Sequence, residues 1–383
     1  MKARGPLVVL LGLCALVTPS SAAAQAGISL LGLGRPDLPV DARMRALGGA
    51  GVVAHGRNLS LLNPAALGRV ETSSVLLSFA TESRNVEGEV RGDVRGTRFP
   101  VGQLVYPAGG RFVFALGFGA FLDQDWFVSF EDTLELQEDT VPFTENRTSD
   151  GGVSHLRGSV AFSASDIWQL GIGIDLYAGD VTRTVSRRFD DPAGLLNTYR
   201  DHTRWEYRGL GLTGGIVVAP DPTIRLGAAV SWSGDLEARN DSLGATREFP
   251  MPLRVHGGVS WRLLPEVTWL IGAGLATWSR AADAVGGAED TWSIGTGLEV
   301  PLARSQTSRL AVRAGFRRAT LPFTGGGAQA AESAWSAGAG GELAGGLVHV
   351  DAAFDFGARG NVAEVGVRES FRRFSFSLSV SHR

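Results

Sequence analysis

The sequence predicts an all-β protein: an antiparallel transmembrane β-barrel of about fourteen strands with an N-terminal hatch inside its lumen. Three observations predict it. Hydrophobicity alternates with period 2 from Thr72 onward, the connections alternate between short and long, and a glycine-rich, turn-prone segment precedes the first strand.

The chain opens with "MKARGPLVVLLGLCALVTPSSAAAQA", in which Lys2 and Arg4 precede an apolar core from Leu7 to Val17 and Ala24-Gln25-Ala26 fits a cleavage pattern. Residues 1–26 therefore read as a secretory signal peptide. They hold Cys14, the one cysteine, and Lys2, the one lysine. Of the 36 Lys and Arg, Lys2 and Arg4 leave with the leader, so 34 arginines face 39 carboxylates at a net charge of −5. Neither disulfide nor thiol chemistry is expected of the remainder, and the charge balance argues against a nucleic-acid partner. No later apolar run approaches the roughly 20 residues of a membrane-spanning helix.

Residues 27–71 do not alternate and form the expected hatch. In "RALGGAGVVAHGRNLSLLNPAAL", Gly48, Gly49 and Gly51 suit positive φ and close backbone approach. Asn63 before Pro64 reads as a helix N-cap followed by proline at the first helical position.

Residues 72–383 are assigned to the barrel. In 168–177, Trp168, Leu170, Ile172, Ile174 and Leu176 share one face, against Gln169, Gly171, Gly173, Asp175 and Tyr177. The last strand sets Phe374, Phe376, Leu378 and Val380 against Ser375, Ser377, Ser379 and Ser381. An apolar outside with a small or polar inside suits a barrel in lipid. Short connections such as "PAGGR" (107–111), "SASD" (163–166), "LLPE" (263–266) and "AGG" (344–346) alternate with long stretches at 122–152, 183–203, 235–248, 279–290 and 320–333. Outer-membrane barrels keep this parity, with short turns on the periplasmic side. Strand centres are expected near residues 77, 103, 116, 159, 176, 212, 228, 256, 272, 295, 313, 338, 351 and 374. Trp168, Trp261 and Trp269 beside short turns, with Trp205, Trp292 and Trp335 near the long ones, suit interfacial girdles.

"ARMRALGGAGVVAHGRNLSLLNPAAL", followed by a strand and "FPVGQLVYPAGGRFVFALGFGA", resembles the opening of the FadL-like outer-membrane proteins, which include long-chain fatty-acid and hydrocarbon transporters; PorV-like shuttle proteins open similarly. By that resemblance Asn63, Pro64 and Ala65 match an Asn-Pro-Ala hatch signature, and Gly48, Gly49 and Gly51 its lead-in. The likeness covers about eighty residues, and the chain departs from many such barrels by ending "SLSVSHR" rather than on an aromatic residue. It implies a bacterial outer-membrane barrel, with outer-membrane lipid, lipopolysaccharide and the barrel-assembly machinery as surroundings, and passive uptake of a hydrophobic small molecule. Gly117 and Gly119 are candidates for a kink that releases ligand sideways. The alternative is a PorV-like scaffold. A transporter is expected to show an apolar pocket above the hatch, and a scaffold a blocked lumen with large ordered loops.

Enzymatic chemistry finds no support. "GLGLTG" (209–214) matches a dinucleotide pattern but leads into strand and turn rather than a helix. No metal-ligand spacing, nucleophile motif or cofactor signature is present. The charges on lumen parity are His155, Arg157, Asp175, Arg254, His256, Glu299, Arg313, His349, Asp351 and Asp355. They either pair across the lumen and with hatch residues Arg43 and Arg45, or guide a ligand carboxylate to an arginine. The acidic 122–152 stretch carries Trp126, Phe127 and Phe130, a candidate surface for capturing an apolar ligand, or a site for cation bridging to lipopolysaccharide.

Overall fold

The computed structural model describes residues 33–53, 61–88, 92–136, 139–190, 196–241 and 244–382. The predicted leader lies outside them. Nineteen ladder segments resolve into fourteen strands, because one is a two-residue bridge at Arg35–Pro36 and four strands are each broken in two. β1 is Ser73–Gly88. β2 runs through Gly92–Arg98 and Val101–Pro107, and β3 through Phe112–Asp123 and Trp126–Leu136. β4 is Asp139–Ser163, β5 Trp168–Phe189 and β6 Tyr199–Val218. β7 joins Ile224–Ser233 to Leu236–Asn240, and β8 joins Thr246–Phe249 to Arg254–Arg262. β9 is Thr268–Ala276, β10 Thr291–Arg304 and β11 Arg309–Gly325. β12 is Ala328–Leu343, β13 Val348–Asn361 and β14 Val367–His382.

Each strand pairs antiparallel with its neighbour, and β14 closes on β1 from Val367↔Gly88 to His382↔Ser73. All fourteen expected centres fall in successive strands. Side-chain parity follows the alternation: Ile172 is 60% exposed on the lipid face, whereas Gln169 is fully buried on the inner one. Apolar residues outside and hydrogen-bonded polar residues inside are what a closed sheet in lipid demands.

Several stretches read as loops are strand instead. Residues 126–136 pair with 139–149, and β4 continues against β5 as far as Phe143↔Phe189, so a sheet projects above the lipid-facing band. Residues 320–333 hold a tight turn at Gly326 and Gly327, both at positive φ, between β11 and β12. Period-2 patterning persists into such hairpins in polar form, which hides them from a hydrophobicity reading. Of the expected girdle, Trp168, Trp261, Trp292 and Trp335 are exposed, whereas Trp205 packs against a buried cluster inside.

Residues 33–53 and 61–71 run inside the ring. Asp41 caps the short helix α1 (Ala42–Ala46) through the Met44 N–H at 2.8 Å, and Gly48 and Gly49 then turn the chain at φ of 67° and 78°. Gly51 is not at positive φ; its N–H donates to the Gly49 carbonyl at 2.8 Å. Asn63 caps a 3-10 helix, Pro64–Arg69, with Pro64 in its first turn.

The inner wall is cut to fit. Gly171 of β5 leaves room for Ala65, and a Cβ at Gly297 of β10 would meet the Leu47 Cα at 2.5 Å. The same reason governs Gly117 and Gly119, where a Cβ would strike Leu61 and Pro39, each at 2.7 Å. These two glycines admit the N-terminal segment. The irregularity in β3 lies further on, as a register shift between Ala120 and Leu122.

Candidate functional site

The lumen is divided into ionic layers and one aromatic chamber. Arg157 on β4 and Asp175 on β5 form a bidentate pair at 2.6 and 2.9 Å, completed by Thr213 of β6 at 2.7 Å from Arg157 and 2.8 Å from Asp175. Arg157 also donates to the Leu61 carbonyl, tying the wall to the N-terminal segment. Asn63 does likewise, donating to the carbonyls of Val52 and of Ile216 on β6, each at 3.2 Å.

A second layer lies towards the short turns. Arg43 of α1 clasps Glu299 of β10 at 2.7 and 2.8 Å, Glu299 accepts from Arg313 of β11 at 2.5 Å, and Arg313 reaches Asp351 of β13 at 2.7 Å. His349, also on β13, pairs with Glu342 at 3.2 Å.

The largest buried network joins residues that the motif reading did not single out. Glu82 of β1 meets Arg359 of β13 at 3.1 Å and also Arg373 of β14; Arg359 meets Glu332 at 2.7 Å and Glu369 at 3.3 Å. Arg35 and Arg98 converge on Asp123 at 2.6 and 2.8 Å. Burial opposes a charge on Asp37 in the N-terminal segment, yet Arg45, Arg373, Arg35 and Arg98 hold its carboxyl well below the usual range. Inward parity on β1, β13 and β14 marked these residues; only ring closure shows that they meet. Asp355 instead faces a cavity of about 20 Å³ shared with Arg45 and Arg373, room for about one water.

Above these layers, on the side of the projecting hairpins, a buried apolar cluster includes Phe121, Tyr177, Tyr207, Met251 and Trp278. Phe121 lies 5.0 Å from Tyr177 and stacks on Trp278 at 6.4 Å. Arg254 of β8 sits 4.6 Å over Phe121 and donates to the Tyr177 hydroxyl at 2.5 Å. No carboxylate pairs with Arg254 among the described residues, and its buried Nε has no partner. A cavity of about 90 Å³ opens beside it, lined by Leu38, Leu62, Phe121, Arg254, His256 and Trp278 among others. His155 packs near Phe121 and Tyr177, and neither of its ring nitrogens has a hydrogen-bond partner.

The ten inward charges thus separate: Arg157 and Asp175 form the first layer, His155, Arg254 and His256 lie around the chamber above it, Glu299, Arg313, Asp351 and His349 belong to the lower layer, and Asp355 stands apart. The surface aromatics do not converge. On one strand Trp126 and Phe130 share a face, Phe130 lying under Arg147 at 5.2 Å, and Phe127 projects from the other. Beside them the wall has a seam. Gly92–Arg98 pairs with β1 and Trp126–Leu136 with β4, but among the described residues no ladder joins these two segments. Arg98 bridges it through Asp123 at 2.8 Å and Asp125 at 3.8 Å.

A family model described as BamG matches residues 3–248. The chain belongs to the BamG family. Among solved structures, this BamG-family chain is similar to a FadL homologue of Pseudomonas aeruginosa, at 14% identity over 92% of this chain and 99% of that one, with a TM-score of 0.62. It is also similar to the toluene transporter TodX of P. putida, at 15% identity over 91% and 99% of the two chains, with a TM-score of 0.58. Those likenesses show the fold, that of a FadL-like β-barrel. A search of curated proteins finds no match.

Proposed function

We propose that this BamG-family barrel admits hydrophobic or amphipathic small molecules passively, with residues 33–71 as its hatch and Arg254 as the guide for a polar head group. The observation that carries this reading is Arg254 itself. Arg157 and Arg313 are saturated by carboxylates, whereas Arg254 hydrogen-bonds only a phenol and faces a cavity walled by Phe121, Trp278, Leu38 and Leu62, with Asp37, His256 and Arg317 also in its lining. A guanidinium in such surroundings favours an anionic oxygen.

The cavity, at about 90 Å³, is smaller than the roughly 150 Å³ that holds a benzene molecule, so this is a closed state. Ligand has to displace the segment that walls the cavity, Pro36 to Pro39 and Leu62, and the unladdered seam between β2 and β3 offers a side route. The experiment is extraction and mass spectrometry of lipids co-purifying with the folded barrel, beside liposome flux for the wild type, Arg254→Ala and a chain lacking residues 27–70. Bound hydrophobic molecules, flux and a lowered signal in Arg254→Ala support the reading. If neither the wild type nor the hatchless chain carries such molecules, and both leave liposomes sealed to them, the transport reading falls.

The second reading, an outer-membrane scaffold, is favoured by the sheet that projects through residues 126–136, 139–149 and 181–189, and by a lumen filled mainly with ion pairs. The family name hints at a link with the barrel-assembly machinery. Co-purification of that machinery with the wild type, abolished when residues 127–148 are shortened to a turn, would favour this reading over transport.

A further inference from the structure

The short-turn mouth of the barrel holds a vestibule of about 430 Å³ beneath the N-terminal segment, framed by the ends of β8 to β13. Its charges do not cancel. Arg43 and Arg313 are held by Glu299, Arg304 by Glu266 at 3.4 Å, and His349 by Glu342. Those contacts engage every carboxylate in the lining, Glu342 through a histidine and directly across the ladder from Arg309, and leave two guanidiniums, Arg262 of β8 and Arg309 of β11, with no ion pair among the described residues.

A third arginine extends this cationic wall. Arg225 of β7 pairs across the ladder with Ser260, two residues before Arg262 on the same inward face. Arg225 is only 7% exposed; one of its nitrogens donates to Gln169 at 3.2 Å, but its Nε and the Gln169 Nε2 are both buried without a partner. Burying a cation without an opposite charge is costly, and each unmet donor adds to that cost. Arg225 bears that cost, and the half-buried Arg262 and exposed Arg309 add positive field at the same rim, which favours negative charge there.

We propose that this periplasmic vestibule is an oxyanion-binding site, taking a phosphate or carboxylate group between Arg262 and Arg309, with Arg225 reinforcing the field. Arginine suits the task because its planar fork binds such groups through pairs of parallel hydrogen bonds. Pro265, Pro301 and Ala311 add small uncharged surface between the ion pairs, so recognition rests on the anionic group. The site is separate from the chamber around Arg254 and does not depend on what that chamber passes.

The test is isothermal titration of the full barrel in detergent with inorganic phosphate and, in a second arm, with succinate, at constant ionic strength set by potassium chloride. Saturable binding is expected for wild type and for Arg208→Gln, an exposed arginine of β6 outside the vestibule lining. Arg262→Gln/Arg309→Gln should weaken it by about a hundredfold, roughly tenfold for each guanidinium removed. A phosphate response without a succinate response identifies the group as phosphate, and the reverse as carboxylate. If the double variant does not show the heat-modifiable migration of a folded barrel, the exposed-rim variant Arg309→Gln alone carries the test, with affinity expected to fall about tenfold. Absence of saturable binding to wild type in both arms, or wild-type affinity in the Arg262 and Arg309 variants, overturns the proposal.

Discussion

Asn63 and Gly215 meet face to face: the Asn63 side-chain oxygen occupies the space in which a β-carbon at residue 215 would stand. That oxygen accepts from the Ala65 N–H at 3.0 Å, and the amide nitrogen spans Val52 and Ile216. One side chain thus caps a turn, ties two parts of the N-terminal segment together and fastens both to the wall.

Replacing Gly215 with valine is expected to push Asn63 off the wall while leaving the strand ladder in place. Forced overpacking of this kind costs typically about 1–3 kcal/mol. Limited proteolysis should cut within residues 61–71 faster than in wild type, with barrel migration on gels unchanged. Equal cleavage rates would mean that the contact does not hold the segment.

Asn63→Ala removes the cap and both carbonyl interactions without adding bulk. Docking of the segment should weaken by about 1–3 kcal/mol. Hydrogen exchange at the Ala65 amide reports it directly, and wild-type protection there would exclude the cap as its cause.

Arg157→Ala is the harsher change. It strips the counter-charge from buried Asp175 and a donor from the Leu61 carbonyl. Breaking one half of a buried pair costs about 3–5 kcal/mol, so the urea midpoint should fall sharply. Adding Asp175→Asn should restore much of it, since no lone charge remains. A double variant no better than the single one would show that packing, not charge, is what Arg157 supplies.

Asp41 links the segment to pH. Burial, and then the charge of Asp351, raise its carboxyl from 3.8 to about 6. A folded value above the unfolded one means that the folded state holds the proton more tightly. Stability should therefore increase as pH falls from 7.5 to 5.5, by on the order of 1 kcal/mol, and decline again as pH rises through 6. Asp41→Asn keeps a capping oxygen and removes the charge, so its stability should change less steeply than the wild type's across that window. Parallel slopes for the two proteins, measured by urea unfolding at each pH, would assign the dependence to another group.

How much of the site was legible follows from range. The inward parity of Arg157 and Asp175 can be read strand by strand, because alternation is a local property of extended chain. That Arg157 is satisfied and Arg254 is not depends on which strands lie side by side. Glu82 and Arg359 are 277 residues apart, and only closure of β14 onto β1 makes them partners. The lumenal glycines carry the same lesson. Their place on the inward face can be read from the alternation, but their fit to Leu47, Leu61 and Ala65 requires the packed segment itself.

Local patterning by itself determined the all-β class, the number of strands, the side each residue faces and the Asn63-Pro64 cap, since all of these rest on interactions between near neighbours in the chain. Tertiary structure alone decided which charges neutralise one another, where an arginine is left unpaired and how the hairpins project. Those outcomes depend on desolvation and on distances between remote segments, and neither quantity exists until the sheet has closed around its contents.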